Sequence, residues 1–395
     1  MRREHIVVFI AAVIGIVALT YPAQGWFHWV DDHHLAEWVF LGRPFSVGFF
    51  AESDRFRPMF HILRIGVYYN LFGDQIAFWR LWFVAHNALW MTLFYAVLRR
   101  LNIGVLLSAL ALPLLLWYPQ SLTVTYRFGT VEGMGNVFLL AAVLALLANR
   151  HWSMVVLALL AGACKESFAL ILPVFALWYA TRPTRRSRPL YALVFGTVAL
   201  LALVLRARLS AGGYGEMIGG FSTEALVYNT HILLIALGFS VPMLMGALTA
   251  RSLGGIVLVA AGVGSQIVAH SSIGIAGHYQ YPVILVTVGA TVLSLHVLRR
   301  QRRLLAVCTL ALALSLANRF VSPLATATAW GAEGEAFHAE MQRTVEQNPP
   351  TFELNDELIE WNVSAASWLD YYGWRGQFIV GENACCLTPE ILRVK

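Results

Sequence analysis

Long apolar runs recur along almost the whole chain, and they constrain the fold more than any other feature. A helix needs roughly 20 apolar residues to cross a bilayer, with a working range of about 17–25. Candidate spans fall at 5–21, 78–98, 103–118, 133–149, 151–164, 167–181, 189–205, 230–250, 252–269, 279–298 and 304–318. Of the 395 residues, 58% are hydrophobic and only 13% are charged. A soluble domain carries about 45–50% and about 25% respectively. The imbalance excludes an ordinary soluble domain, a disordered chain and a nucleic-acid binder. The runs are also spread too widely for one anchor on a soluble body. An all-α polytopic membrane protein is the expected fold class.

Orientation follows from arginine, because cytoplasmic loops collect Lys and Arg. Arg2/Arg3, Arg99/Arg100, Arg150, the run Arg182 to Arg188, Arg251, and Arg299 to Arg303 form the basic clusters. Placing all of them inside requires an even number of crossings between consecutive clusters. Residues 22–77 then form one large outer loop, whose apolar piece 59–72 lies in the interface or re-enters. Residues 151–181 become two spans broken near Cys164-Lys165-Glu166. The count is about eleven spans, with the N-terminus cytoplasmic and residues 319–395 extracytoplasmic. The first run reads as a retained signal anchor, since it is long and the chain beyond it is membrane-embedded. The organisation is a transmembrane module over 1–320 and a small outer C-terminal region over 321–395. That region carries Trp361, Trp368, Tyr371, Tyr372 and Trp374, enough for a small α/β or helical cap.

No GxxxxGK[ST] or GxGxxG occurs, which argues against an ATP-driven pump. The four cysteines, Cys164, Cys308, Cys385 and Cys386, form neither a disulfide framework nor a zinc spacing. The chemistry gathers in segments that the topology places outside. Trp29-Val30-Asp31-Asp32-His33-His34 follows the first span. Asp31 is either a helix N-cap or a catalytic carboxylate with Asp32 beside it. A divalent-metal site using Asp31, Asp32, His33 and His34 is the third reading. Arg55 and Arg57 either snorkel to the interface or bind a phosphate through the planar guanidinium. Lys165 is one of two lysines and sits in apolar surroundings. With Glu166 it is either a self-neutralising ion pair or a functional site, the default reading for ionisable groups in a membrane. Arg127, Glu132, His278 and Tyr281 lie on the same outer side, the last two as belt residues or as ligands. Together these supply a base, cations for a phosphate and a lipid-accessible groove.

The order of these motifs resembles the GT-C superfamily of polyprenyl-phosphate-sugar glycosyltransferases, in particular its protein O-mannosyltransferase and tetratricopeptide-bearing mannosyltransferase branches. The residues that carry the resemblance are Asp31-Asp32, Arg57-Pro58, Leu71-Phe72-Gly73, Ala85-His86-Asn87, Leu98-Arg99-Arg100, Tyr118-Pro119, Cys164-Lys165-Glu166-Ser167 up to Pro173, and Tyr281-Pro282. They cover about 1–185 well and 278–300 weakly. The chain departs from the pattern in three places. Thr123 or Thr125 stands where a Glu is common, His278-Tyr279 replaces an Arg-Tyr pair, and no tetratricopeptide repeats follow.

The resemblance implies an inverting hexosyl or mannosyl transfer from a polyprenyl-phosphate-linked sugar to a protein, glycan or lipid hydroxyl. The setting it implies is the outer face of a bacterial inner membrane. By the same carry-over Asp31 is the general base and Asp32 its helper or a metal contact. Lys165, Arg57 and Arg127 hold the donor phosphate, and His278 and Tyr281 close that site. Glu166, Arg55 and Glu132 support it. No cofactor beyond a divalent metal is implied. The rival readings are a transporter or flippase of a lipid-linked glycan and an inactive accessory subunit of the same fold. Transporters usually show internal repeats and a midplane site, whereas here no repeat is visible and the polar groups collect at one surface.

Overall fold

The computed structural model describes residues 3–23, 58–73, 75–117, 121–126, 132–165, 168, 172, 187–210, 230–251, 281–317, 322–355 and 359–382. They are mostly helical. The first helix, α1, spans Arg3–Thr20, and a 3-10 turn at Tyr21–Ala23 follows it. The segment 58–72 is α-helical at Pro58–His61, π-helical over Ile62–Tyr69 and α-helical again at Asn70–Phe72. Then come α2 (Ile76–Arg100), α3 (Val105–Trp117), α4 (Ser121–Tyr126), α5 (Glu132–Leu147) and α6 (His151–Cys164). The remaining bundle helices are α7 (Ser187–Ser210), α8 (Thr230–Thr249), α9 (Tyr281–Leu298) and α10 (Arg302–Ala317). Among the described residues α1 and α2 are long and apolar enough to cross a membrane, and shorter apolar helices include Glu132–Leu147 and His151–Cys164.

The centre of the bundle is α2, which packs against α1, α3 and α5, while α5 pairs with α6 and α8 with both α9 and α10. Its apolar side chains are buried at short intervals, with Ala88, Trp90, Met91 and Tyr95 fully enclosed. Three polar side chains in its middle are satisfied locally, as a low-dielectric interior favours. The Trp90 indole donates to Asn87 Oδ1 at 2.7 Å, Asn87 Nδ2 donates to the Phe83 carbonyl at 2.9 Å, and Thr92 bonds the Ala88 carbonyl at 2.8 Å. At the far end, Glu4 of α1 accepts from the Tyr95 hydroxyl at 3.3 Å and lies 3.7 Å from Arg99. The turns after α2 and α5 are tight. Asn102 and Asn149 take the left-handed conformation there (φ 62° and 57°), which Asn tolerates better than most residues.

Helices α8, α9 and α10 approach closely through small residues. A Cβ on Gly246 of α8 would lie 2.8 Å from the Ser294 Cα of α9, and one on Gly238 would lie 2.3 Å from the Ser315 side chain of α10. Small residues at such crossings let helices gain dispersion contacts that larger ones block. Gly246→Ala therefore has to push backbones apart, and the expected cost is about 1–3 kcal/mol. Thermal unfolding in detergent checks this, with Gly104→Ala as the control, because nothing lies within 4 Å of a Cβ there.

The C-terminal region consists of α11 (Ser322–Gln347), β1 (Thr351–Leu354), α12 (Ile359–Tyr371) and β2 (Gln377–Val380). The two strands pair in parallel, with Thr351 opposite Gln377 and Leu354 opposite Val380, and α12 is the crossover between them. The aromatic residues of the tail form its core. Phe337, Met341, Leu354, Trp368, Leu369 and Trp374 bury together with Trp79 from the start of α2, and Tyr68, Phe72 and Ile76 pack on them. A second contact joins Ala327 and Trp330 of α11 to Tyr126 and Leu19. Inside this region His338 Nδ1 and the Tyr372 hydroxyl lie 2.9 Å apart. Burial, with Tyr371 close by, pushes the Tyr372 phenol up to about 12, so it stays protonated at neutral pH.

Candidate functional site

The start of α5 and the end of α6 meet, and a fully buried ion pair closes the junction. Lys165 caps the C-terminus of α6 in an extended conformation, and its ammonium donates to Glu132 Oε1. The side chains are 1% and 0% exposed respectively. Two unit charges removed from water each carry a desolvation cost of several kcal/mol, offset only by close pairing and further hydrogen bonds. The counter-ion lies 33 residues away in sequence, because α5 and α6 form an antiparallel hairpin that brings their polar ends together. The expected pairing of Lys165 with Glu166 falls on a residue outside the described ones.

The first turn of α5 reads Glu132-Gly133-Met134-Gly135-Asn136, and its two glycines let neighbours come close. A Cβ on Gly133 would lie 3.2 Å from Asn87 Oδ1 and 3.8 Å from the His86 ring of α2. One on Gly135 would lie 2.3 Å from the buried Phe168 ring. Asn87 lies eleven residues into the 25-residue α2, so the open end of the hairpin is roughly 17 Å along that helix at ~1.5 Å per residue. The ion pair therefore sits level with the middle of a membrane-length helix. The helix that ends at Lys165 is short: α6 has 14 residues, or about 21 Å.

The 58–72 segment covers this open end. Met59, Leu63 and Tyr68 pack on Met134 and Cys164. Trp82 stacks on His86 with ring centroids 6.0 Å apart and touches Tyr68 at 5.1 Å. Burial raises the Tyr68 phenol above its ordinary value, and a hydrogen bond with Trp82 works against that. Nearer the start of α2, Arg80 is buried. Its Nη1 donates to the Tyr126 carbonyl at 2.6 Å, and its guanidinium lies 4.3 Å from the centre of that tyrosine's ring. Thr125, in a stretch where the resemblance expects a Glu, is buried beside it. One turn below Glu132 on α5 is Asn136, with 0% exposure and no hydrogen-bond partner at either Nδ2 or Oδ1.

Of the residues singled out in the sequence, the structure brings Lys165 and Glu132 together. Tyr281 opens α9, and its side chain lies outside the described residues. So do Asp31, Asp32, His33, His34, Arg55, Arg57, Arg127, Glu166 and His278. Among the described residues no group of three or more His, Cys, Asp or Glu could hold a metal ion. Sequence reasoning missed Asn136 and the role of Arg80. The signal for Asn136 was legible: a second polar residue at i+4 from Glu132 in an otherwise apolar helix, with glycines between. The chain matches no known family model, and no curated protein matches it significantly.

Proposed function

We propose that this chain is a multi-pass membrane glycosyltransferase. It moves a sugar, with inversion, from a polyprenyl-phosphate donor to an acceptor hydroxyl on the extracytoplasmic face of a bacterial inner membrane. Asp31 is the general base, and Lys165 holds the donor phosphate with Arg57, Arg127, His278 and Tyr281. The observation that carries this reading is the buried Lys165–Glu132 pair. A fixed ammonium in an apolar bundle, under an amphipathic cover, suits an anion that arrives on a lipid tail. An ionisable pair at such a cost to stability marks function more often than scaffolding. Incubating the purified protein with a radiolabelled polyprenyl-phosphate sugar tests it directly. Label entering an acceptor supports the reading, and its absence with every donor sugar tried overturns it.

The position of the pair beside the middle of α2 also suits a second reading, a transporter or flippase of a lipid-linked glycan, whose sites usually lie near the midplane. The readings part on Asp31. A flippase moves lipid-linked glycan across a liposome bilayer whether position 31 is Asp or Asn, while a transferase depends on that carboxylate. The reading also has a topological consequence. Cysteines introduced near Arg186 or Arg302 should be shielded from an impermeant thiol reagent in intact cells, while cysteines at Gly213 and Gly334 should react. Labelling in the opposite sense at Gly334 would sink the arrangement of about eleven spans.

A further inference from the structure

A buried amide with no partner is rare in folded proteins, and each one calls for a physical account. Asn136 is such a group: fully enclosed, with donor and acceptor both unused. Its position supplies the account. Asn136 and Glu132 are four residues apart on α5, and side chains at that spacing are neighbours on one helix face. Glu132 in turn holds Lys165. An ammonium cannot serve an incoming anion at full strength while a carboxylate holds it. When the ammonium turns away, Glu132 gives up that charge-assisted hydrogen bond, and a donor beside it offsets part of the loss.

We propose that Asn136 is that donor, the positioning residue of a charge exchange. In the resting state Lys165 pairs with Glu132 and the Asn136 amide is unused. When a lipid-borne phosphate arrives, Lys165 turns to it, and Glu132 accepts a hydrogen bond from Asn136 Nδ2 one turn below. The glycines on either side of Met134 keep the first turn of α5 free of bulky side chains, with Asn87 and His86 against one and Phe168 against the other. No proton or covalent bond changes hands. This inference rests on the reading of Lys165 as the phosphate holder.

The separating measurement is binding of polyprenyl phosphate, without sugar, to the full-length protein in nanodiscs, alongside thermal unfolding of the ligand-free protein. Asn136→Leu and Asn136→Ala should each weaken binding about tenfold, the worth of one hydrogen bond to a charged group. The ligand-free Asn136→Leu protein should unfold at the same or a higher temperature, since an unsatisfied amide has gone. Asn136→Gln, which keeps the amide, should bind much as the wild type does. A merely structural Asn136 would show the opposite pattern: lowered stability with unchanged affinity, and that result overturns the exchange alone. Wild-type binding that is absent, or equally strong in the paired variant Lys165→Met with Glu132→Gln, overturns the reading of Lys165 and the exchange with it.

Discussion

Asp31→Asn is expected to lower sugar transfer by at least roughly a hundredfold while leaving polyprenyl-phosphate binding largely intact. A sugar or protein hydroxyl is a poor nucleophile, and a positioned base contributes typically 10²–10⁴-fold to its attack. The substitution keeps shape and nearly all capping capacity, because Asn caps a helix about as well as Asp. What it removes is basicity. A purely structural Asp31 therefore predicts turnover close to the wild type, and the catalytic one predicts collapse at unchanged donor affinity. The same change at Asp32 should be milder, unless a divalent ion is held there. In that case added metal would shift the activity of the Asp32→Asn protein. Near-normal transfer by the Asp31→Asn protein defeats the assignment and turns attention to Asp32.

Many of the helices were legible because apolar runs leave a one-dimensional signal, several of them bounded by arginine. The turns at Asn102 and Asn149 fall at such arginine boundaries, and the break after Cys164 falls at a lysine. Helix packing was not legible. Run length marks where a helix ends, and only its packing partner shows how far along a neighbour that end sits. Gly133 against Asn87 is what places the start of α5 beside the middle of α2. The contact between Lys165 and Glu132 was not legible for the same reason, since 33 residues separate them in sequence. The tail was readable as an aromatic core but not as a strand–helix–strand unit, since strands of four residues leave almost no period to detect.

The contact with Glu132 sets the expected outcome of substitution at Lys165. Lys165→Met should destabilise the protein by ~3–5 kcal/mol, the usual consequence of leaving one member of a buried pair without its opposite charge. Glu132→Gln alone should cost a similar amount, because the ammonium loses that carboxylate. Combining them replaces two buried charges with neutral groups of similar size, a change that is often neutral or even stabilising. Most of the loss should therefore return in the double variant, read as coupling in a double-mutant cycle of unfolding free energies. The rescued protein then separates scaffold from site. If the pair only holds α5 to α6, the double variant folds and transfers sugar. If Lys165 serves the donor phosphate, the double variant folds, binds polyprenyl phosphate weakly and stays inactive, because restoring the hairpin does not restore the cation.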